Sequence, residues 1–133
     1  MTFRENLDPI ADGETLARFV VHKREIRSSD QSVRLEVFVP HPRQVLSVTR
    51  HIGLTDNELW SLGGDVAAKR ELALYGRADI ATSDVRLRRL EVEPTVFPPN
   101  HANVTGWPPD KPAQKRIAQE LAIRARFVPT PLR

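Results

Sequence analysis
The sequence predicts an α+β fold: a mostly antiparallel sheet of four to six strands with two helices packed on one face. Three observations carry that expectation. Apolar segments of strand length recur between Pro, Gly and polar clusters, a fully specified helix start stands at Thr55, and a second helical period follows Asp110. No internal repeat or low-complexity tract competes with this reading, and 133 residues supply one core rather than two.

Residues 1–14 hold Arg4 against Glu5, Asp8, Asp12 and Glu14, and with Pro9 and Gly13 they read as a loose acidic arm ahead of a single domain over residues 15–133. A first strand is expected over Leu16 to Val21, where Phe19, Val20 and Val21 in succession suit burial and a polar run from Lys23 closes it. Val33, Leu35, Val37 and Val39 alternate with Arg34, Glu36 and Phe38. That period of two predicts a half-buried strand with Phe38 outside, ended by Pro40-His41-Pro42. Leu46, Val48 and Arg50, alternating with Ser47 and Thr49, form a short strand placed to return as its hairpin partner.

Thr55-Asp56-Asn57-Glu58 is a capping box: the Thr55 hydroxyl can accept from the third helical amide while the Glu58 carboxylate reaches back to the amide of Thr55. Leu59, Leu62 and Val66 then share one helix face, widened by Trp60 and Ala67. Gly63-Gly64 weakens this helix by about 1 kcal/mol each relative to Ala. Either it bends there or something packs closely on its backbone.

Leu72 to Tyr75 reads as strand, and Gly76 before Ala78 and Ile80 signals a bulge or a close backbone approach. Val85 to Val92 reads as a further strand with a bulge at Arg88-Arg89, and Ala81 to Asp84 as the turn between the two. From Pro94 to Pro112, six of nineteen residues are proline, which predicts a long loop of functional type. Asp110 caps a last helix with Ala113, Ile117 and Leu121 on one face, and Phe127 to Pro131 ends the chain in extended form.

The composition narrows the chemistry. The chain has no cysteine, which excludes disulfide scaffolds, thiolate nucleophiles, iron–sulfur clusters and cysteine-built zinc sites and makes the cytoplasm the expected compartment. The first residues are acidic rather than a basic stretch before an apolar one, and no apolar run approaches the ~20 residues that cross a bilayer, so neither export nor a membrane is expected. The formal net charge of +3 is uneven: from Lys111 onward six basic residues face Glu120 alone. A local excess of that sign attracts phosphates, nucleotides or acidic partners. Sixteen of the twenty basic residues are Arg, a bias that base composition also produces.

Without cysteine, proton transfer falls to the four histidines, His22, His41, His51 and His101. His101 and His51 are the candidate catalytic residues. His101 stands in Asn100-His101-Ala102-Asn103, inside the proline-rich stretch and ahead of Trp107; Asn100, Asn103 and Trp107 are candidates to orient a ligand by amide contacts and stacking. His51 follows Arg50 at a strand end, and Arg50, Lys111, Lys115 and Arg116 are the candidate phosphate contacts. Arg77 and Asp79, two apart on a strand, are expected to pair. No metal-binding spacing, phosphate-cradling glycine loop or Gly-x-Ser-x-Gly elbow is present, so no metal and no cofactor is expected. The function expected is that of a small cytoplasmic protein with a basic site for phosphate or nucleotide, RNA being the candidate substrate for metal-free acid/base chemistry. The alternative is a non-catalytic adaptor or accessory subunit that meets a protein partner through its aromatic and Pro-rich surface.

Overall fold
The structure, a computed structural model, describes residues 7–40 and 44–131. Its centre is a six-stranded antiparallel sheet built from β1 (Thr15–Val20), β4 (Leu46–Arg50), β5 (Gly76–Ala81), β6 (Glu91–Pro94), β7 (His101–Thr105) and β8 (Arg126–Pro129), in the order β6-β7-β4-β1-β5-β8. A separate two-stranded ribbon pairs β2 (Ile26–Arg27) with β3 (Ser32–Val33). Three helices complete the α+β fold: α1 (Asp56–Lys69), the short α2 (Thr82–Arg86) and α3 (Lys111–Arg124).

The helices do not share one face, a correction to the expected arrangement. β1 is central and apolar on both sides. Leu16 and Val20 join the larger core with Ala118, Leu121 and Ala122 of α3 and Val85 of α2, while Ala17 and Phe19 face Leu59 and Leu62 of α1. Strand alternation sends neighbours to opposite faces, so the apolar succession in β1 requires cover on both.

Both long helices start as expected. The amide of Glu58 donates to Thr55 Oγ1 at 3.2 Å and the amide of Thr55 to Glu58 Oε1 at 2.9 Å. The amide of Ala113 donates to Asp110 Oδ2 at 3.0 Å. At Gly63 a Cβ would stand 2.6 Å from Phe19 Cε1, so the helix is seated on the Phe19 ring; Gly64 has nothing within 4 Å. Gly76 likewise marks a close approach, since a Cβ there would lie 2.6 Å from the Val128 carbonyl oxygen.

Several segments depart from the sequence reading, among them Leu72 to Tyr75, which leads into β5 without being strand. Leu35–Phe38 is a 3-10 turn, not a strand, and Phe38 is buried against α3. The tight turn carries Val37 and Phe38 inward together, which a two-residue period cannot. β4 therefore pairs with β1 and β7 rather than returning as a hairpin. The expected turn at Ala81 to Asp84 and strand from Val85 are instead α2 followed by a turn with Arg89 at φ 62°, and Leu87 is exposed. Residues 94–112 are not one loop, because β7 runs through them between β6 and β4.

The acidic arm is docked over the residues described. Arg50 is fully buried and grips Glu14 with two parallel bonds, Nε to Oε1 and Nη2 to Oε2, both 2.9 Å, while Nη1 donates to the Asp8 carbonyl at 2.9 Å. Arg86 pairs with Asp12, and Ile10 is buried in the larger core. Residues 1–6 and His41 lie outside the described residues. Among the described residues, no helix is long and apolar enough to cross a membrane.

Candidate functional site
The face under α1 carries a row of polar side chains. Antiparallel register puts His101 of β7, Thr49 of β4, Ala17 of β1, Asp79 of β5 and Arg126 of β8 in one row across five neighbouring strands. Only Ala17 in that row is apolar, and α1 sits over it. The helix therefore divides the face into two depressions, one toward β4 and β7 and one toward β5 and β8.

The first is a groove of about 450 Å³ between α1 and the Phe97-Pro98-Pro99 segment, within the range of small-molecule sites. Leu62, Val66, Phe97 and Pro98 make most of its wall, Lys69 and Asp65 stand on the helix side, and His101 and Thr49 lie on the sheet side. Phe97 is 70% exposed, and Lys69 Nζ rests 5.2 Å from the centre of its ring. A narrower recess adjoins at Thr49, Val66 and His101 and carries Arg18 and Arg70. Arg18 fills the gap where β1 and β4 separate, donating from Nε to the Val37 carbonyl and from Nη1 to the Ser47 carbonyl.

Burial, and then the Arg18 charge, push the His101 imidazole below its ordinary range, because both disfavour the protonated ring. Thr95 Oγ1 lies 2.6 Å from His101 Nδ1 and fixes the ring orientation. With Nδ1 so engaged, Nε2 is the nitrogen left to a ligand. It donates when the Thr95 hydroxyl gives its proton to Nδ1, and accepts when Nδ1–H donates to Thr95 and the hydroxyl turns to the His101 carbonyl 3.3 Å away.

The second depression, about 330 Å³, is lined by His51, Arg77, Asp79, Arg126 and Thr15 and is mostly polar. His51 Nε2 meets Asp79 Oδ1 at 3.0 Å, and Arg77 Nε reaches both Asp79 oxygens at 3.0 and 3.2 Å. The Arg77–Asp79 pairing is the one strand periodicity implies. Trp60 of α1 covers the Arg77 guanidinium, its ring centre 4.6 Å away.

The sequence-predicted residues are thus scattered. His101 and His51 do not share a depression: His101 stands on β7 at the groove, whereas His51 follows β4 and turns its Nε2 to Asp79 of β5. Arg50 is corrected as a phosphate contact, since its guanidinium is sealed against Glu14. Asn100 is buried at φ 58° and donates from Nδ2 to the Arg50 and Ile52 carbonyls, so its amide fastens the end of β4 rather than a ligand. Trp107 is a core residue on the α3 face, its Nε1–H given to the Val104 carbonyl at 3.0 Å. Asn103 is half-buried on β7, on the His101 face. Lys111, Lys115 and Arg116 are exposed on α3, across the sheet from both histidines.

Sequence reasoning missed Lys69, Phe97 and Thr95 at the groove and Arg126 at the second depression. Arg126 was legible in part, since a strand beginning at Arg126 turns it to one face with Val128, but nothing local names Asp79 as its neighbour. Among the described residues, no group of three or more His, Asp or Glu side chains is placed to hold a metal ion. No protein-family model, curated protein or solved structure matches the chain, so the functional reading rests on this geometry.

Proposed function
We propose that the protein binds a small anionic ligand with a planar apolar body, of the mononucleotide or single-RNA-nucleotide class, in the groove between α1 and Phe97–Pro99. His101 Nε2 exchanges a proton with it. One observation carries the reading: an oriented imidazole, held neutral by burial and by Arg18, stands in a largely apolar groove of ligand size. Lys69 on the wall and Arg70 beside the recess supply the charge for an anionic end, and the Phe97 ring supplies a stacking surface. A neutral imidazole suits a general base near neutral pH, so a ligand that offers a proton to Nε2 can be turned over without a metal. Lys111, Lys115 and Arg116 lie behind the sheet and do not reach the same ligand.

The test is a titration of the His101 ring resonances with mononucleotides and with an aromatic carboxylate, in wild type and Phe97→Ser, and of the backbone amides in His101→Gln. Saturable shifts confined to groove residues and weakened by Phe97→Ser are expected. Unshifted His101 resonances at millimolar concentrations of every ligand would overturn the reading.

A second reading rests on Phe97, 70% exposed at the groove, with Val96 next to it in the chain 54% exposed. There a protein partner seats a side chain in the groove, and the protein acts as an adaptor. Its signature is a co-purifying protein that Phe97→Ser releases and His101→Gln retains.

A further inference from the structure
We infer that the depression on the β5–β8 side of α1 is a second, separate site, which takes inorganic phosphate or a phosphate monoester between Arg77, Arg126 and His51. It shares no lining residue with the groove. The argument begins with hydrogen-bond supply and demand. Asp79 supplies two carboxylate oxygens, and both are already engaged by Arg77 Nε and His51 Nε2. Arg77 Nη1 is left buried with no acceptor, on a side chain only 9% exposed. Buried charged donors without an acceptor are rare in folded proteins, and an absent ion is among the ordinary reasons for one. Trp60 lies over the guanidinium and contacts its face, which does not satisfy N–H groups lying in the guanidinium plane.

Charge points the same way. Arg126 stands directly across from Asp79 on the edge strand, exposed, with no ion-pair partner among the described residues. Two guanidinia therefore face one carboxylate, and protonation of His51 would add a second uncompensated charge. Because Asp79 accepts from His51 Nε2, that nitrogen carries a proton, and Nδ1 is free to donate to an anion once protonated. Donors from the end of β4, from β5 and from β8 approach from different strands. A tetrahedral oxyanion offers oxygens to all three, whereas a carboxylate offers two. Arg side chains suit this role, since their forked donors match phosphate oxygens.

The experiment is a thermal-shift and calorimetric titration of the full chain with inorganic phosphate, against chloride at matched ionic strength. The proteins are wild type, Arg126→Gln, Lys115→Gln and His101→Gln. Arg126 is exposed at the sheet edge, so its variant is expected to melt with wild type in chloride. Phosphate is expected to stabilise wild type saturably where chloride does not, with Arg126→Gln weakening the affinity about tenfold. Lys115→Gln and His101→Gln should bind phosphate as wild type does. Equal stabilisation by chloride, an unchanged affinity in Arg126→Gln, or an equal loss in Lys115→Gln would each overturn the assignment. Since His101→Gln removes only the groove's imidazole, failure of the groove and failure of this site are read separately.

Discussion

On the face that α3 covers, Leu16, Val20, Ala78, Ile80, Ala102 and Val104 belong to one cluster of nineteen buried apolar residues among those described, and Arg50, fully buried at the end of β4, is held by Glu14 and the Asp8 carbonyl. On the face that α1 covers, the buried cluster is Ala17, Phe19, Leu59 and Leu62, and the same strands present Thr49, His101, Arg77, Asp79 and Arg126. One face holds most of the apolar core and the other carries the polar row. A single helix over a polar row leaves open ground on either side of itself, whereas α3 with α2 and the 3-10 turn buries the apolar side chains of its face. The division also places the two histidines in different depressions, His101 in the groove and His51 on the β5–β8 side.

The contrast can be broken first at Arg50. Arg50→Ala strands the Glu14 carboxylate and the Asp8 carbonyl, and a broken buried pair of this kind costs about 3–5 kcal/mol. Urea denaturation should show that loss; a cost under about 1 kcal/mol would mean that the arm is not part of the dry face. Next come matched leucines. Leu121→Ala under α3 is expected to cost about 3 kcal/mol and Leu62→Ala, at the groove wall, about 2 kcal/mol, because a site open to water collapses or hydrates more cheaply than a sealed core. Reversed values would break the comparison.

Adjacent glycines on α1 give a smaller and signed effect. Gly63→Ala drives a methyl into the Phe19 ring and is expected to destabilise by about 1–3 kcal/mol. Gly64→Ala meets nothing and should stabilise by up to about 1 kcal/mol through helix propensity alone. Thermal melts of both variants check whether α1 is seated on Phe19.

The pH dependence is the smallest effect and the sharpest. Burial raises the Glu14 carboxyl, but its bonds from Arg50 and the Ala11 amide, with the charges of Arg50 and Arg86, outweigh burial and hold it below its ordinary value. The unfolded chain then binds that proton first, so Glu14's contribution is present above the ordinary carboxylate range and lost as pH falls through the folded value. His101 is also lowered, so the unfolded chain again binds the proton first, and stability starts to drop as pH falls past the ordinary imidazole value near 6.5. Urea midpoints from pH 8 to 3 should fall in two stages. His101→Gln removes the first and Glu14→Gln the second; one stage insensitive to both variants would refute these environments.

Parts of this architecture are legible locally. The capping box at Thr55, the cap at Asp110, strands β1 and β4 and the close approach at Gly76 each depend on a few neighbouring residues, so their signals survive without tertiary context. Val33 to Val39 misleads because its period of two suits a strand, whereas the 3-10 turn at Leu35–Phe38 buries Val37 and Phe38 together; Phe38, out of step with the alternation, is the mark of it. The stretch from Pro94 to Pro112 conceals β7, since prolines at its two ends leave Ala102 and Val104 free to fill the core. At the sites, the residue type of His101 is visible in the sequence. Its environment depends on Thr95, Arg18 and α1, which reach it from elsewhere in the chain.

By itself the sequence determined the α+β class, the caps of the two long helices, the absence of thiol chemistry and the short set of histidines able to move a proton. Tertiary structure alone decided which cations are available. Arg50 and Arg77 share one side chain and a strand end or interior, yet one has its guanidinium closed by a bidentate carboxylate and the other keeps a donor unmatched. Local pattern fixes which way a side chain points from its own backbone. What it meets there depends on strand order and helix placement, and those follow from burying β1 on both faces at once.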